Sequence, residues 1–165
     1  MAIESRDFPI MGWNEWAALP QLKVPLVRCK VDTGARTSAL HAFYIEEITE
    51  NGIRRVRFGL HPEQDKTDTE IHCVADVVDV RNVTDSGGHS EQRVVIQTLV
   101  VLGKASWPIE VTLTNRDTMR FRMLLGRTAI ADNYIVDPGA AYLLGKPAIK
   151  PILQPLVSRR HDEEE

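Results

Sequence analysis

Two short strings in the sequence carry residues suited to acid–base chemistry and to a close backbone approach. The first, Val31-Asp32-Thr33-Gly34-Ala35, lies where an apolar run ends, and a carboxylate presented there could exchange a proton with a substrate. The second, Met123-Leu124-Leu125-Gly126-Arg127, is another apolar run that ends at a glycine. Asp-Thr-Gly is also ordinary turn chemistry, because the aspartate accepts a local N–H and the glycine adopts positive φ. The presence of the second string favours the functional interpretation.

The elements that must position these strings are strands. Apolar and β-branched runs occupy residues 24–31, 44–49, 53–60, 71–83, 92–102 and 106–115, with turn residues between them. Asn51-Gly52 predicts a tight hairpin, since both residues tolerate positive φ. Gly87 and Gly88 predict the tip of a second hairpin. Among the segments that follow the last of these strands, residues 126–133 have a helical pattern. Short strands joined by short turns predict an all-β sandwich or barrel.

The two ends of the chain differ from this pattern. Residues 1–20 are expected to form an N-terminal arm, in which the spacing of Trp13 and Trp16 suits a short helix or a packed segment. Residues 21–147 form the predicted β domain. Residues 148–165 contain repeated prolines and end in His161-Asp-Glu-Glu-Glu165, which predicts an extended tail.

The combination of Val31-Asp-Thr-Gly-Ala35, the glycine-tipped hairpin and Leu124-Leu-Gly-Arg127 resembles the retropepsin-like aspartic peptidases. More narrowly, residues 30–42 taken with residues 123–127 are similar to a bacterial group labelled ATP-dependent zinc proteases. The resemblance covers residues 20–145 and leaves the two ends out. It implies a closed retropepsin-like (acid protease) barrel with one short helix after the Leu-Leu-Gly-Arg motif.

The resemblance also implies that two chains share one active site. The chain holds one Asp-Thr-Gly, which is half of such a site, so Asp32 from each of two copies would meet on a twofold axis. Two carboxyl groups about 3 Å apart cannot both ionise, so they share one proton, activate a water and donate to the peptide carbonyl. Thr33 would brace the two loops, and Gly34 would let the backbone approach closely. The expected activity is that of a homodimeric aspartic endopeptidase acting on a peptide or protein substrate.

Several further residues would lie around that substrate. Gly87 and Gly88 would close over it as a flap, and Gly126 of the second string would also contact it. Ala35 cannot hydrogen-bond the ionised carboxylate as a hydroxyl would, so the dyad is expected to work nearer neutral pH. At Arg36 and Thr37 the chain departs from the viral enzymes, which usually carry acidic residues at these positions that hold the substrate main chain.

Three arginines bear on substrate choice. Arg36, Arg93 and Arg127 could make the cleft receptive to acidic or glutamate-tailed proteins, which would suit the association of the resembling family with ATP-grasp ligases that append glutamates. The alternative is that Arg127 is a structural ion-pair partner while the other two are solvated. A second hypothesis assumes the same fold but no catalysis. In this case the chain is a non-catalytic, peptidase-like binding module that regulates an ATP-grasp peptide ligase.

Other catalytic constellations are weakly supported by the sequence. No His-Glu-x-x-His or Cys-x-x-Cys run is present, and the neighbours His72 and Cys73 would point to opposite faces of a strand, so we expect no metal in spite of the zinc label. Distant histidines could converge only through the fold. Neither glycine-lysine pair belongs to a phosphate loop, so no cofactor is expected. A Ser38-His41-Asp32 triad lacks the Gly-x-Ser-x-Gly turn that would present the serine.

Composition excludes several classes of protein. The 165 residues are 43% hydrophobic with a formal net charge of -3, which fits one compact domain and argues against a disordered chain. The acidic excess argues against a nucleic-acid partner, and no apolar run is long enough for a membrane span. Two cysteines and no secretory signal make the reducing cytoplasm the expected location.

Overall fold

The computed structural model describes residues 7–116 and 118–148, and this part of the chain is built almost entirely of β-strands. The strands are β1 (Ile10–Met11), β2 (Asn14–Leu19), β3 (Val24–Asp32), β4 (Ser38–His41), β5 (Tyr44–Glu50), β6 (Ile53–Leu60), β7 (Ile71–Asp76), β8 (Asp79–Thr84), β9 (Ser90–Leu102), β10 (Ala105–Thr114), β11 (Met123–Gly126) and β12 (Ile135–Val136). A 3-10 turn covers Pro20–Leu22, and a one-turn helix, α1, covers Arg127–Ile130 directly after the Leu-Leu-Gly motif. The all-β prediction with a short helix at this place is confirmed.

The main sheet closes on itself. Its seven strands follow the order β10-β4-β11-β3-β2-β9-β8, and β9 pairs with β10 as well as with β2. Six strands therefore form a ring, while β8 stands outside it as the hairpin partner of β9. This closure is compatible with the closed barrel that the sequence predicted. Buried apolar side chains fill the ring, among them Val27, Leu40, Ile96, Val111 and Leu125.

A separate three-stranded sheet, β5-β6-β7, follows β4 and holds the hairpin predicted at Asn51-Gly52. The run at residues 71–83, which we expected to be one strand, is divided between the two sheets. The division lies at two consecutive residues: Val77 N–H donates to the Arg54 carbonyl of β6 at 3.0 Å, whereas Val78 N–H donates to the Val95 carbonyl of β9 at 2.9 Å. The chain thus changes sheets without an intervening turn.

The arm at residues 11–19 is a packed segment, and its interpretation as a helix was wrong. Residues 14–19 form β2, in which Trp16 pairs with Arg28 of β3 and Ala18 pairs with Val101 of β9. Nearly every side chain of β2 is buried, because strands flank it and residues 137–148 pass over it. A strand covered on both faces loses the alternation that would have distinguished it from a helix.

One carboxylate joins the two ends of the described chain. Glu15 of β2 is fully buried, and its side chain accepts backbone hydrogen bonds from Gly12 at 2.7 Å, Leu143 at 2.9 Å and Leu144 at 3.1 Å. Beside it, burial first and the Glu15 charge second raise the pKa of the Cys29 thiol to about 12. Of the tail predicted at residues 148–165, only Ala148 belongs to the described residues.

Across the described residues, no helix is both long and apolar enough to cross a membrane.

Candidate active site

The two strings singled out in the sequence lie side by side. β3 and β11 are parallel neighbours, and their register pairs Gly126 with Asp32 at the last residue of each strand. Both strands therefore end at the same edge of the sheet, and the loop after Asp32 begins there. Residues far apart in the chain are brought to one place by this pairing.

The carboxylate of Asp32 is held by its own loop. Its Oδ1 accepts the backbone N–H of Gly34 at 3.1 Å and of Ala35 at 3.2 Å. The side chain is only partly buried, and within the described part of the chain Oδ2 has no hydrogen bond. One oxygen thus fixes the rotamer and leaves the other available to a ligand. The aspartate therefore accepts local N–H groups as anticipated from Asp-Thr-Gly, and this orients its carboxylate. The expectation that the glycine adopts positive φ was wrong, because Gly34 is not among the glycines with positive φ.

The start of α1 braces the opposite side of the loop. Arg127 N–H donates to the Ala35 carbonyl at 2.7 Å, and Thr128 N–H donates to the Arg36 carbonyl at 3.0 Å. The Arg127 guanidinium also donates, through Nη1, to the Thr33 carbonyl at 3.1 Å. The Arg127 guanidinium therefore binds a carbonyl of the loop that follows Asp32. This carbonyl is neither of the partners considered from the sequence, which were an ion-pairing carboxylate and an acidic substrate.

Gly126 is required because the loop packs directly on it. A Cβ at this position would lie 2.5 Å from the Thr37 carbonyl carbon and 2.7 Å from the Ser38 nitrogen, closer than side chains approach backbone. Its N–H donates to the Oγ of the buried Ser38 at 2.9 Å. Sequence analysis missed this role of Ser38. The Ser38-His41-Asp32 triad is not assembled, since Ser38 serves Gly126 and His41 Nδ1 accepts the Arg116 N–H at 3.1 Å.

The remaining predicted loop residues face solvent in the single chain. Thr33, Gly34 and Arg36 are exposed, and Ala35 is partly buried. Together with Asp32 they form a continuous loop surface, which we call the catalytic loop (residues 32–37). The resemblance assigns this surface to the contact between two copies.

Gly87 and Gly88 lie at the tip of the β8–β9 hairpin, as predicted, and Gly88 adopts a φ of 85°. Asp85 shapes this tip: its N–H donates to the His89 carbonyl at 2.9 Å, and its Oδ1 accepts the N–H of Gly87 at 2.9 Å and of His89 at 3.0 Å. We call residues 85–89 the flap tip. Sequence analysis had not singled out Asp85.

Arg93 is buried, whereas Arg36 and Arg127 are exposed, so the alternative in which Arg93 is solvated was wrong. Its side chain is 7% exposed; Nε donates to Glu91 Oε1 at 2.6 Å, and Nη1 contacts Thr112 Oγ1 at 3.5 Å. Glu91 also accepts the Thr114 hydroxyl at 2.6 Å. Burial acts to raise the pKa of Glu91, but the Thr114 and Arg93 hydrogen bonds outweigh it and lower the pKa. The sequence signal that was missed is the alternation of β9, which turns Glu91 and Arg93 to one face.

Within the described ranges, no group of three or more His, Cys, Asp and Glu side chains is arranged to hold a metal ion. His72 and Cys73 do point to opposite faces, since Cys73 is buried while the His72 side chain is 58% exposed. His72 Nδ1 instead lies 3.0 Å from the Tyr44 hydroxyl.

Comparison with known proteins gives three results. The family described as retropepsin-like aspartic endopeptidase RimB matches residues 10–147. A probable alpha-L-glutamate ligase of Shewanella pealeana is 45% identical over 137 residues, covering 83% of this chain and 30% of the relative. A protein of the same description from Desulfotalea psychrophila is 43% identical over 137 residues, again 30% of its length. The chain thus spans about 30% of the length of these curated relatives.

The chain is also similar in structure to Lpg0085, a protein with unknown function (DUF785) from Legionella pneumophila. The two are 31% identical with a TM-score of 0.68, and the match covers 82% of this chain and 98% of the other.

Proposed function

The chain belongs to the RimB-like family of retropepsin-like aspartic endopeptidases, and from this premise we propose that it hydrolyses peptide bonds as a homodimer. The observation that carries the proposal is the catalytic loop. Asp32 is oriented through Oδ1 by Gly34 and Ala35, and the loop is supported by Gly126 of β11. A carboxylate fixed through one oxygen, with the other unoccupied among the described residues, is suited to bind and activate a water.

Two copies supply the complete site in this mechanism. The Asp32 carboxyls of the two chains lie about 3 Å apart and share one proton, since both cannot ionise at that separation. The ionised member removes a proton from the water, and the protonated member donates a hydrogen bond to the scissile carbonyl. Thr33 and Gly34, which are exposed in the single chain, contact the partner's loop. Ala35 offers no hydroxyl to stabilise the ionised form, which favours activity nearer neutral pH.

We propose acidic proteins, including glutamate-tailed ones, as the substrate class. Arg36 is exposed on the catalytic loop, and relatives that share 43–45% identity with this chain are named probable alpha-L-glutamate ligases. A peptidase acting beside a glutamate ligase has the product of that ligase as a natural substrate. The cellular location that we propose for this activity is the cytoplasm, where such ligation would take place.

The same relatives support a second candidate, a binding module that regulates a glutamate ligase without cleaving peptides. The matched segment is about 30% of each named ligase, so in those proteins the domain is joined to a larger remainder. In that case the catalytic loop would contact an acidic tail or the ligase itself, and Asp32 would not be needed for chemistry.

The substitution Asp32→Asn separates the two candidates. It keeps an oxygen that accepts the Gly34 and Ala35 N–H groups but removes the titratable proton. Asp137→Asn is the matched control, because Asp137 Oδ1 accepts the N–H of Gly139 at 2.9 Å in a similar turn. Cleavage is followed on fluorogenic peptides containing three glutamates or three glutamines, and the oligomeric state by sedimentation.

A peptidase loses at least about 1000-fold of its cleavage rate in Asp32→Asn, remains dimeric, and keeps full activity in Asp137→Asn. A binding module cleaves neither peptide and regulates the ligase equally well in both variants. A chain that stays monomeric at every concentration, with and without peptide, would have no second Asp32 and would exclude the proposed dyad.

A further inference from the structure

A single carboxylate connects the flap tip to the barrel. Asp85 Oδ2 accepts Arg116 Nη2 at 2.6 Å, while its Oδ1 accepts the two N–H groups inside the tip. The Asp85 side chain is 17% exposed and that of Arg116 is 38% exposed, so the pair is partly shielded yet reachable by a ligand. His89 Nδ1 lies 3.7 Å from Asp85 Oδ1, with its side chain 85% exposed.

Arg116 is fixed at its base. Its backbone N–H donates to Nδ1 of the buried His41, and His41 N–H donates to the Arg122 carbonyl at 2.8 Å. β10 ends beside β4 at this point, since Thr114 pairs with His41. The Arg116 guanidinium therefore extends from a backbone that the barrel holds in place. The hairpin that it reaches is less firmly held, because within the main sheet its strand β8 is an edge strand that pairs with β9 alone.

The backbone of Arg116 lies at one end of β4, and the support of the catalytic loop lies at the other. β4 runs from Ser38, which supports the catalytic loop through Gly126, to His41, which holds Arg116. Three residues of strand correspond to about 10 Å. An extended peptide with its scissile bond at Asp32 that ran alongside β4 would match the length of this strand in about three residues.

We propose that Arg116 is a specificity-determining residue that exchanges Asp85 for a carboxylate of an acidic substrate and thereby releases the flap tip. The inference rests on the proposed function, because it assumes a peptide bound along the catalytic loop. The exchange replaces one guanidinium–carboxylate pair by another, so no charge is left without a partner. Asp85 keeps its bonds to Gly87 and His89, so the tip moves as a preformed unit.

The test measures peptide binding in the full-length chain carrying Asp32→Asn, so that no cleavage occurs. The probes are a peptide with three glutamates and the same peptide with three glutamines. Arg116→Gln removes the guanidinium, and Asp85→Asn removes the internal competitor while retaining an acceptor for the tip N–H groups. Arg81→Gln is the matched control, since Arg81 lies on the same hairpin away from the tip and pairs with Asp79 of β8 at 2.7 Å and with Glu110 of β10 at 2.9 Å.

We expect Arg116→Gln to weaken binding of the glutamate peptide about tenfold and to leave the glutamine peptide within about twofold. Asp85→Asn strengthens binding of the glutamate peptide, and Arg81→Gln changes neither. Without any peptide, hydrogen exchange at residues 85–89 becomes faster in Arg116→Gln and is unchanged in Arg81→Gln. This exchange measurement also shows whether the variant has otherwise kept its native structure.

The inference is overturned if Arg116→Gln lowers binding of both peptides equally, if Asp85→Asn weakens glutamate binding, or if the glutamate peptide does not bind. Its failure differs from failure of the proposed function. If the chain never cleaves peptides but binds glutamate peptides selectively through Arg116, the carboxylate exchange stands and the peptidase activity is rejected. If the chain cleaves peptides and Arg116→Gln leaves the ratio of glutamate-peptide to glutamine-peptide cleavage unchanged, the peptidase activity stands and the carboxylate exchange is rejected.

Discussion

Gly126→Ala should damage the candidate site through sterics alone. The added Cβ would stand 2.5 Å from the Thr37 carbonyl carbon, against a lower limit of ordinary contact near 3.4 Å. The atoms it meets are backbone, so no side chain can rotate away. The catalytic loop must therefore move from β11 by about 0.9 Å, or β11 must yield by the same amount.

Such a shift has two measurable costs. Overpacking of this kind reduces the free energy of unfolding by about 1–3 kcal/mol. Lengthening the bond from Gly126 N–H to Ser38 Oγ adds to this loss, since that pair is buried. A misplacement of about 1 Å in a catalytic group lowers the rate about 100-fold, so peptide cleavage should fall by that order.

Urea unfolding and kcat/KM on the fluorogenic glutamate peptide measure the two effects separately. Gly139→Ala is the control, because its Cβ would lie 3.5 Å from Asp137 Oδ1, an ordinary contact, and it should match the parent in both assays. If Gly126→Ala proves as stable as Gly139→Ala, the close packing of loop and strand described above is incorrect. If it is destabilised but fully active, the loop does not position the catalytic group.

Three further outcomes follow from the structure. Replacing Glu15 by Gln leaves one acceptor oxygen for three N–H groups and should lower the free energy of unfolding by about 1–3 kcal/mol in urea titrations, whereas Glu110→Gln at the surface should have little effect. The folded state raises the pKa of Cys29 from 9.0 to about 12, so the protonated thiol contributes fully to the free energy of unfolding below pH 9 and this contribution is lost as the pH rises. Cys29→Ala should therefore flatten the alkaline decrease in the free energy of unfolding, and an unchanged dependence on pH would refute the assignment. The His89 N–H and Arg116 lower the pKa of Asp85, so the Gly87 and His89 amide signals should hold their NMR positions from neutral pH down past 3.8 and shift only at lower pH; a transition above pH 3.8 would refute this assignment.

Much of the fold could be predicted because its signals are local. Asn51 and Gly52 both adopt positive φ, as their residue types require, and the hairpin they form has the expected strands. The all-β class and the short helix after the Leu-Leu-Gly-Arg motif were also predicted, and the match to the RimB-like family agrees with that fold class.

What could not be predicted depends on contacts distant in sequence. β2 is covered on both faces, so its hydrophobic pattern fits a helix equally well. The run at residues 71–83 changes sheets because of two bonds to different strands, and no turn residue marks the place. Arg93 is buried where it donates to Glu91 and contacts Thr112 of β10, and Glu91 in turn accepts the Thr114 hydroxyl. The Asp85–Arg116 pair likewise joins residues that no local pattern connects.

Closure of the main sheet has a consequence for how copies of the chain meet. A strand with an unpaired side invites uncontrolled addition of other chains, and a closed ring exposes few such sides. The outer strands that remain carry charge: Asp79 and Arg81 on β8, and Glu46, Glu47 and Glu50 on β5. Each of these β5 carboxylates is paired with an arginine of β6, so a second strand laid against this edge would meet charged side chains. Association through strand addition is thereby discouraged, which is consistent with a loop-mediated contact in the proposed homodimer.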